Sequence, residues 1–223
     1  MAMDWHQALQ ESLHWLVIAS LITFVSLAIS ATVVVRFTRW GQQFWQIAGP
    51  YLSPKHSWRP LLVFCLLLLL TLFSVRMNVL FSFWYNGFYS ALQGLDEVAF
   101  WFLLQVFAVL ATIHVLRELF TYYVTQAFSI RWRTALTERL THDWMDGDAY
   151  YRGQFLQTPV DNPDQRIELD VSTFVTGSVT LTLGAVSALV SLVAFTAILW
   201  GLSAPLTVAG VEVPRAMVFA VYI

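Results

Sequence analysis

Apolar residues in this chain come in long unbroken blocks rather than in short alternating runs. Four stretches, 15–35, 60–83, 98 to about 124 and 171–202, carry the roughly 20 apolar residues that a helix needs to cross a hydrocarbon core. A fifth apolar run opens at Ala216 and reaches Ile223 before it could cross. Half a span leaves backbone and apolar surface without a place to go, so the pattern reads as a truncated fragment. The predicted fold class is all-α, a polytopic membrane helical bundle. Residues 1–59 would hold a first span and an elbow, and residues 60–223 the rest of the bundle.

The third block does not stop where the lipid would. Between Gly94 and Gly147 there is neither glycine nor proline, and a helix of about 50 residues would measure roughly 75 Å against a core of about 30 Å. Its far part, QAFSIRWRTALTERLTHDWMD, mixes charged and apolar residues at three- and four-residue spacing, with Leu136, Leu140 and Trp144 in one stripe. The turn that follows is punctuated by Gly147, Gly153, Pro159 and Pro163. Asn162 is placed to cap a short helix with Pro163 first and Asp164 near its positive end, and a second long helix is predicted after Ile167. Residues 125–170 therefore read as a helical hairpin beyond the membrane. It is either a docking site for a partner or a solvated projection that serves stability alone. The segment WGQQFWQIAGPYLSPKHSW, with Trp40, Phe44 and Trp45 at near-helical spacing, reads as a short interfacial helix ended by Pro50, or as a surface loop.

Composition sharpens this picture. The chain is 58% hydrophobic and 12% charged, where soluble domains carry about a quarter, and its mean hydropathy is +0.64. That excludes a soluble enzyme, and a net charge of -2 offers no nucleic-acid surface. The single cysteine, Cys65, lies in an apolar run, which leaves no disulfide framework and no multi-cysteine metal site. The first apolar run follows Asp4 and Glu11 without any Lys or Arg, unlike a secretory signal. Arg36, Arg39, Lys55 and Arg59 follow the first span, and Arg131, Arg133, Arg139, Arg152 and Arg166 follow the third, while the intervening connections are bare of positive charge. Positive residues mark the cytoplasmic side, so the N-terminus is expected outside.

Several stretches resemble a known family. VRMNVLFSFWYNGFYSALQ (75–93) and HVLRELFTYYVTQAFSIRWRTALTERLTHDWMDGDAYYR (114–152) are similar to the membrane region of BacA/SbmA-like ABC transporters, which are allied to the ABCD group. DNPDQRIELDV, FTAILWGLS and VEVPRAM resemble that family's cytoplasmic turn, next span and outer loop. The resemblance implies an ABC exporter-like (type 1) transmembrane domain in a bacterial inner membrane. It makes Asn162, Pro163, Asp164, Gln165 and Arg166 a coupling helix seated on a nucleotide-binding domain, with Asp170 as the acid that follows. It also implies a second copy as partner, ATP and Mg at the nucleotide-binding domain, and a peptide or other hydrophilic substrate, cobalamin among them. SbmA-type proteins share RWRTA but lack the ATPase and NPDQR, so the motif favours the ATP-driven branch.

The chain itself cannot build a phosphate-binding loop. That loop needs a lysine after a glycine-rich approach, and the one lysine, Lys55, follows Pro54. The ATPase is therefore expected downstream or on another chain. Candidates for a translocation path are Arg76, Asn78, Asn86, Arg117 and Glu118, since polar groups in spans are expensive and line polar routes. Both arginines also sit within snorkelling reach of an interface. Tyr85 and Tyr89 read as rim or belt residues. His114, one turn before Glu118, reads as packing, and no metal spacing is present. Two other classes stand beside the ATP-driven reading. One is SbmA-like proton-coupled uptake with Glu118 as carrier, and the other is a scaffold whose hairpin recruits a soluble partner.

Overall fold

The computed structural model describes residues 5–53, 58–146, 151–152, 155, 162–202, 206–208 and 211–213. They form five helices and a strand pair: α1 (Trp5–Phe37), α2 (Arg39–Leu52), α3 (Arg59–Gln93), α4 (Glu97–Met145), α5 (Pro163–Leu202), β1 (Leu206–Val208) and β2 (Val211–Val213). α1, α3, α4 and α5 are each long and apolar enough to cross a membrane. Hydroxyl groups in these helices bond back onto their own turns, as Ser26 does to Ile22 O (2.6 Å) and Thr112 to Ala108 O (2.7 Å). That satisfies them without water.

α4 is one helix of 49 residues, as the absence of glycine and proline predicts. At 1.5 Å per residue it is roughly 74 Å long, more than twice a hydrocarbon core. α3 runs to Gln93, ten residues beyond the predicted span end, because its last turns are packed rather than free. Trp84 donates from Nε1 to Leu103 O at 2.8 Å, and Phe88 meets Phe100 at 5.4 Å. The chain then reverses through bonds from Leu95 N to Leu92 O and from Asp96 N to Ala91 O, with Leu95 left-handed at φ 50°. Asp96 caps α4 by accepting from Ala99 N at 3.0 Å.

Two expectations about helix ends need correction. Pro50 does not end α2, which continues to Leu52. A proline cannot donate to the carbonyl four residues back, here that of Gln46, and Arg139 Nη1 donates to this oxygen instead at 3.4 Å. Asn162 does not open a separate short helix. Pro163 is the first residue of α5 itself, and the helix runs unbroken through Ile167. β1 and β2 are the only strands among the described residues, pairing Leu206 with Val213 and Val208 with Val211. Gly147, Gly153, Pro159, Lys55 and the run from Ala216 lie outside the described residues.

Packing divides the chain into two units, Met1–Val17, Thr71–Val115 and Ala185–Ile223 in one, Ile18–Leu70 and Leu116–Gly184 in the other. In the first unit Met77, Leu80 and Trp84 of α3 pack on Leu103 and Leu110 of α4, with Phe81 and Phe88 beside them. In the second, two ridges of four-residue spacing meet. Val124, Phe128, Trp132, Leu136 and Leu140 line α4, and Ile167, Val171, Val175, Val179 and Leu183 line α5. Rows of this spacing interlock as ridges into grooves. Of the predicted stripe of Leu136, Leu140 and Trp144, the first two are the end of a longer ridge, and Trp144 lies outside this core.

α2 closes that second core. Its Ala48 is fully buried, Phe44 and Tyr51 lean on the ridges, and Tyr51 stacks on Trp132 with centroids 5.6 Å apart and planes 3° from parallel. Trp40 and Trp45, grouped with Phe44 in the sequence reading, are exposed, while Phe44 packs against the core. The α1–α2 junction is a one-residue break at Thr38, whose hydroxyl accepts from Gly41 N at 3.2 Å. Gly41 is required there, since a Cβ would lie 2.4 Å from Val34 O.

Candidate functional site

The element with the most specific sequence signature sits at the start of α5. Asn162 takes a left-handed φ of 46°, which asparagine tolerates better than most residues. Its carbonyl accepts from Arg166 N at 3.1 Å. Pro163 supplies a preset φ and has no N–H to leave unsatisfied. Asp164 stands in the first turn, where the helix dipole favours a carboxylate. Asp164, Gln165, Arg166 and Asp170 are all exposed, while Ile167 and Val171 between them turn into the core. The result is an exposed polar collar beside the packed α4 and α5 ridges.

The alkyl and aromatic body behind this collar is continuous. Phe44 meets Phe174 at 5.4 Å and Trp132 meets Phe174 at 6.0 Å. Burial pushes the Tyr51 hydroxyl above its ordinary pKa, and the nearby Arg131 partly offsets this. Arg139, which reaches the Gln46 carbonyl, also faces Asp143 at 3.8 Å. Sequence alone missed the Pro50–Gln46–Arg139 arrangement; a proline inside an aromatic amphipathic segment was the available signal.

The residues proposed for a translocation path divide between the two units. In the first unit Arg76 is half-buried and turns toward α1, donating from Nε to Ser12 Oγ at 2.9 Å with its guanidinium 5.6 Å from the Trp15 ring centre. Asn78 and Asn86 on the same helix are exposed, as are Tyr85 and Tyr89. His114 stands edge-on to Phe81 at 5.7 Å, and its buried Nδ1 has no partner. In the second unit Arg117 is enclosed by its neighbours. It is 7% exposed, donates from Nη1 to Leu70 O at 3.4 Å, and pairs through Nη2 with Glu118. Its Nε is buried without a partner. The guanidinium thus takes a backbone carbonyl of α3 as one of its partners. Glu118, weighed as a proton carrier, is largely exposed and held by that pair.

Among the described residues no set fits ATP with Mg. The lone lysine lacks a glycine-rich loop, and among the described residues no three His, Cys, Asp or Glu side chains could hold a metal ion.

Comparison with known proteins agrees with this architecture. The family described as ABC transporter transmembrane region 2 matches residues 47–223. An uncharacterized ABC transporter ATP-binding protein of Haemophilus influenzae is 43% identical over 220 residues, covering 99% of this chain and 37% of the relative. The chloroplastic ABC transporter D family member 2 of Arabidopsis thaliana is 30% identical over 173 residues, 76% of this chain and 24% of that protein. The human lysosomal cobalamin transporter ABCD4 is 32% identical over 133 residues, 60% and 22%. The chain thus spans little more than a third of the length of the curated relatives it matches. With four apolar helices of spanning length and a family match across most of its residues, this multi-pass membrane protein belongs to the ABC transporter transmembrane region 2 family.

Proposed function

We propose that this chain is the membrane-crossing part of an ATP-driven transporter of the bacterial inner membrane. It works as a pair of copies with the N-terminus outside, and moves hydrophilic compounds such as peptides or cobalamin. ATP and Mg act on a nucleotide-binding domain, whose closure supplies the free energy. The residues of this chain receive that motion. Asn162, Pro163, Asp164, Gln165 and Arg166, with Asp170 one turn on, form the surface that the domain grips.

The observation that carries this reading is the rigid mounting of an exposed polar collar. Packing of Val171, Val175 and Val179 in one core with Val124, Phe128 and Trp132 of α4 supports motion of the start of α5 together with α4. Well-packed cores shift as bodies between discrete arrangements. The partner then selects one arrangement of the spans by binding it better. The substrate class rests on the names of relatives and on the BacA/SbmA resemblance.

The test is to make Asp164→Ala and Arg166→Ala in the complete transporter and measure ATP-dependent flux in proteoliposomes. Coupling contacts are typically worth about five- to 150-fold, so flux should fall in that range with the protein still folded. Unchanged flux in both variants would overturn the coupling role. Flux that follows a pH gradient without ATP would instead favour proton-coupled uptake.

A further inference from the structure

One face of the second unit carries a consistent chemistry. Between Glu11 and Asp96 the sequence contains no Asp or Glu at all. Within that stretch Arg36, Arg39 and Arg59 are exposed, and among the described residues the two ion pairs involve other arginines. Arg36 is in the last turn of α1 and Arg59 is the first residue of α3, so both stand where an apolar span ends. That is the depth of lipid phosphates. Trp40 and Trp58 beside them are 63% and 64% exposed, the position in which indole rings settle at a headgroup boundary.

α2 arranges these groups. Its Gly41, Phe44 and Ala48 side is taken up by the core. Arg39, Gln43 and Gln46 remain as an outward polar ridge, flanked by the exposed Trp40 and Ile47. The close approach at Gly41 and the Thr38 cap fix Arg39 one break away from Arg36. Guanidinium groups recognise phosphodiester oxygens with paired N–H donors, and the glutamine amides add neutral donors along the same ridge.

We propose that this face binds the headgroups of anionic phospholipids, with Arg36, Arg39 and Arg59 on the phosphates and Trp40 and Trp58 in the acyl boundary. The complete lack of acidic residues from the end of one span to the start of the next selects an anionic lipid over a zwitterionic one. The inference rests on membrane insertion alone and is independent of the transport reading.

The experiment is native mass spectrometry of the full chain in detergent, titrated with phosphatidylglycerol or phosphatidylcholine of the same acyl chains. Phosphatidylglycerol should bind more tightly. Each arginine near an anionic surface contributes about five-fold, so Arg39→Gln should weaken it about five-fold and the triple Gln variant about a hundredfold. Phosphatidylcholine binding should fall less than phosphatidylglycerol binding, and the triple Lys variant should retain the preference. Arg133→Gln, an equal charge change on α4, should have no effect. Equal binding of the two lipids by the unaltered chain would overturn the proposal. So would an Arg133→Gln loss as large as that of Arg39→Gln, and these single variants decide the matter even if the triple Gln variant does not fold.

Discussion

Replacing Gly41 by alanine probes the junction on which the placement of α2 depends. The added Cβ would lie 2.4 Å from Val34 O, 2.7 Å from Val34 C and 2.7 Å from Thr38 Oγ1. Two of these are backbone atoms in a continuous helix, and the third already donates to Val34 O at 2.6 Å, so no soft side chain can yield. Overpacking of this kind costs about 1–3 kcal/mol. Displacing Thr38 adds about 1 kcal/mol for the lost cap, and the better helix propensity of alanine returns up to about 1 kcal/mol. The net expectation is a loss of about 1–3 kcal/mol. Gly49→Ala is the internal control, because its nearest contacts, at 3.0 and 3.1 Å, belong to the Trp45 ring, which is 43% exposed and can swing aside. Unfolding followed by circular dichroism in mixed micelles of rising dodecyl sulfate content would compare the two. Equal stability of both variants, or a greater loss at Gly49, would refute the junction geometry.

Other substitutions test separate contacts. Trp84→Phe should cost about 1–2 kcal/mol, since it removes a buried bond to Leu103 O, whereas Trp132→Phe should cost less because Trp132 Nε1 has no partner; the same unfolding assay compares them. Arg117→Ala should destabilise by about 3 kcal/mol by emptying a buried site and leaving its partners, while Glu118→Gln, largely exposed, should stay within about 0.5 kcal/mol. Burial raises the Tyr51 pKa in the folded protein, so the folded state holds its proton longer than the unfolded one. That contribution is complete below the ordinary value of 10.0 and is lost as pH rises beyond it. Melting temperatures measured upward from pH 9 or so should therefore decline, and less steeply in Tyr51→Phe.

Much of the architecture was legible because its signals are crude and strong. Apolar blocks of span length announce helices, and a stretch free of glycine and proline announces α4 as one rod. Two of the misjudged details share one physical origin. A helix that is apolar on all sides does not show which side packs, so neither the extension of α3 over Trp84 and Phe88 nor the inward turn of Arg117 could be read from periodicity. Pro50 misled because its cost depends on what the orphaned Gln46 carbonyl meets, and Arg139 is distant in sequence. The polar collar at Asp164–Arg166 was visible as a motif, but its mounting directly on α5 followed only from the helix running unbroken through Ile167.

The central claim is that α4 and α5 carry the Asn162–Arg166 turn out of the membrane on the side opposite the α3–α4 turn. Cys65 is the one cysteine in the chain, so a Cys65→Ala background allows single cysteines to be placed at Asp164 and at the exposed Leu95. Labelling with a membrane-impermeant maleimide should reach Asp164→Cys only in inside-out vesicles and Leu95→Cys only in right-side-out ones. Labelling of both from the same side would contradict the account.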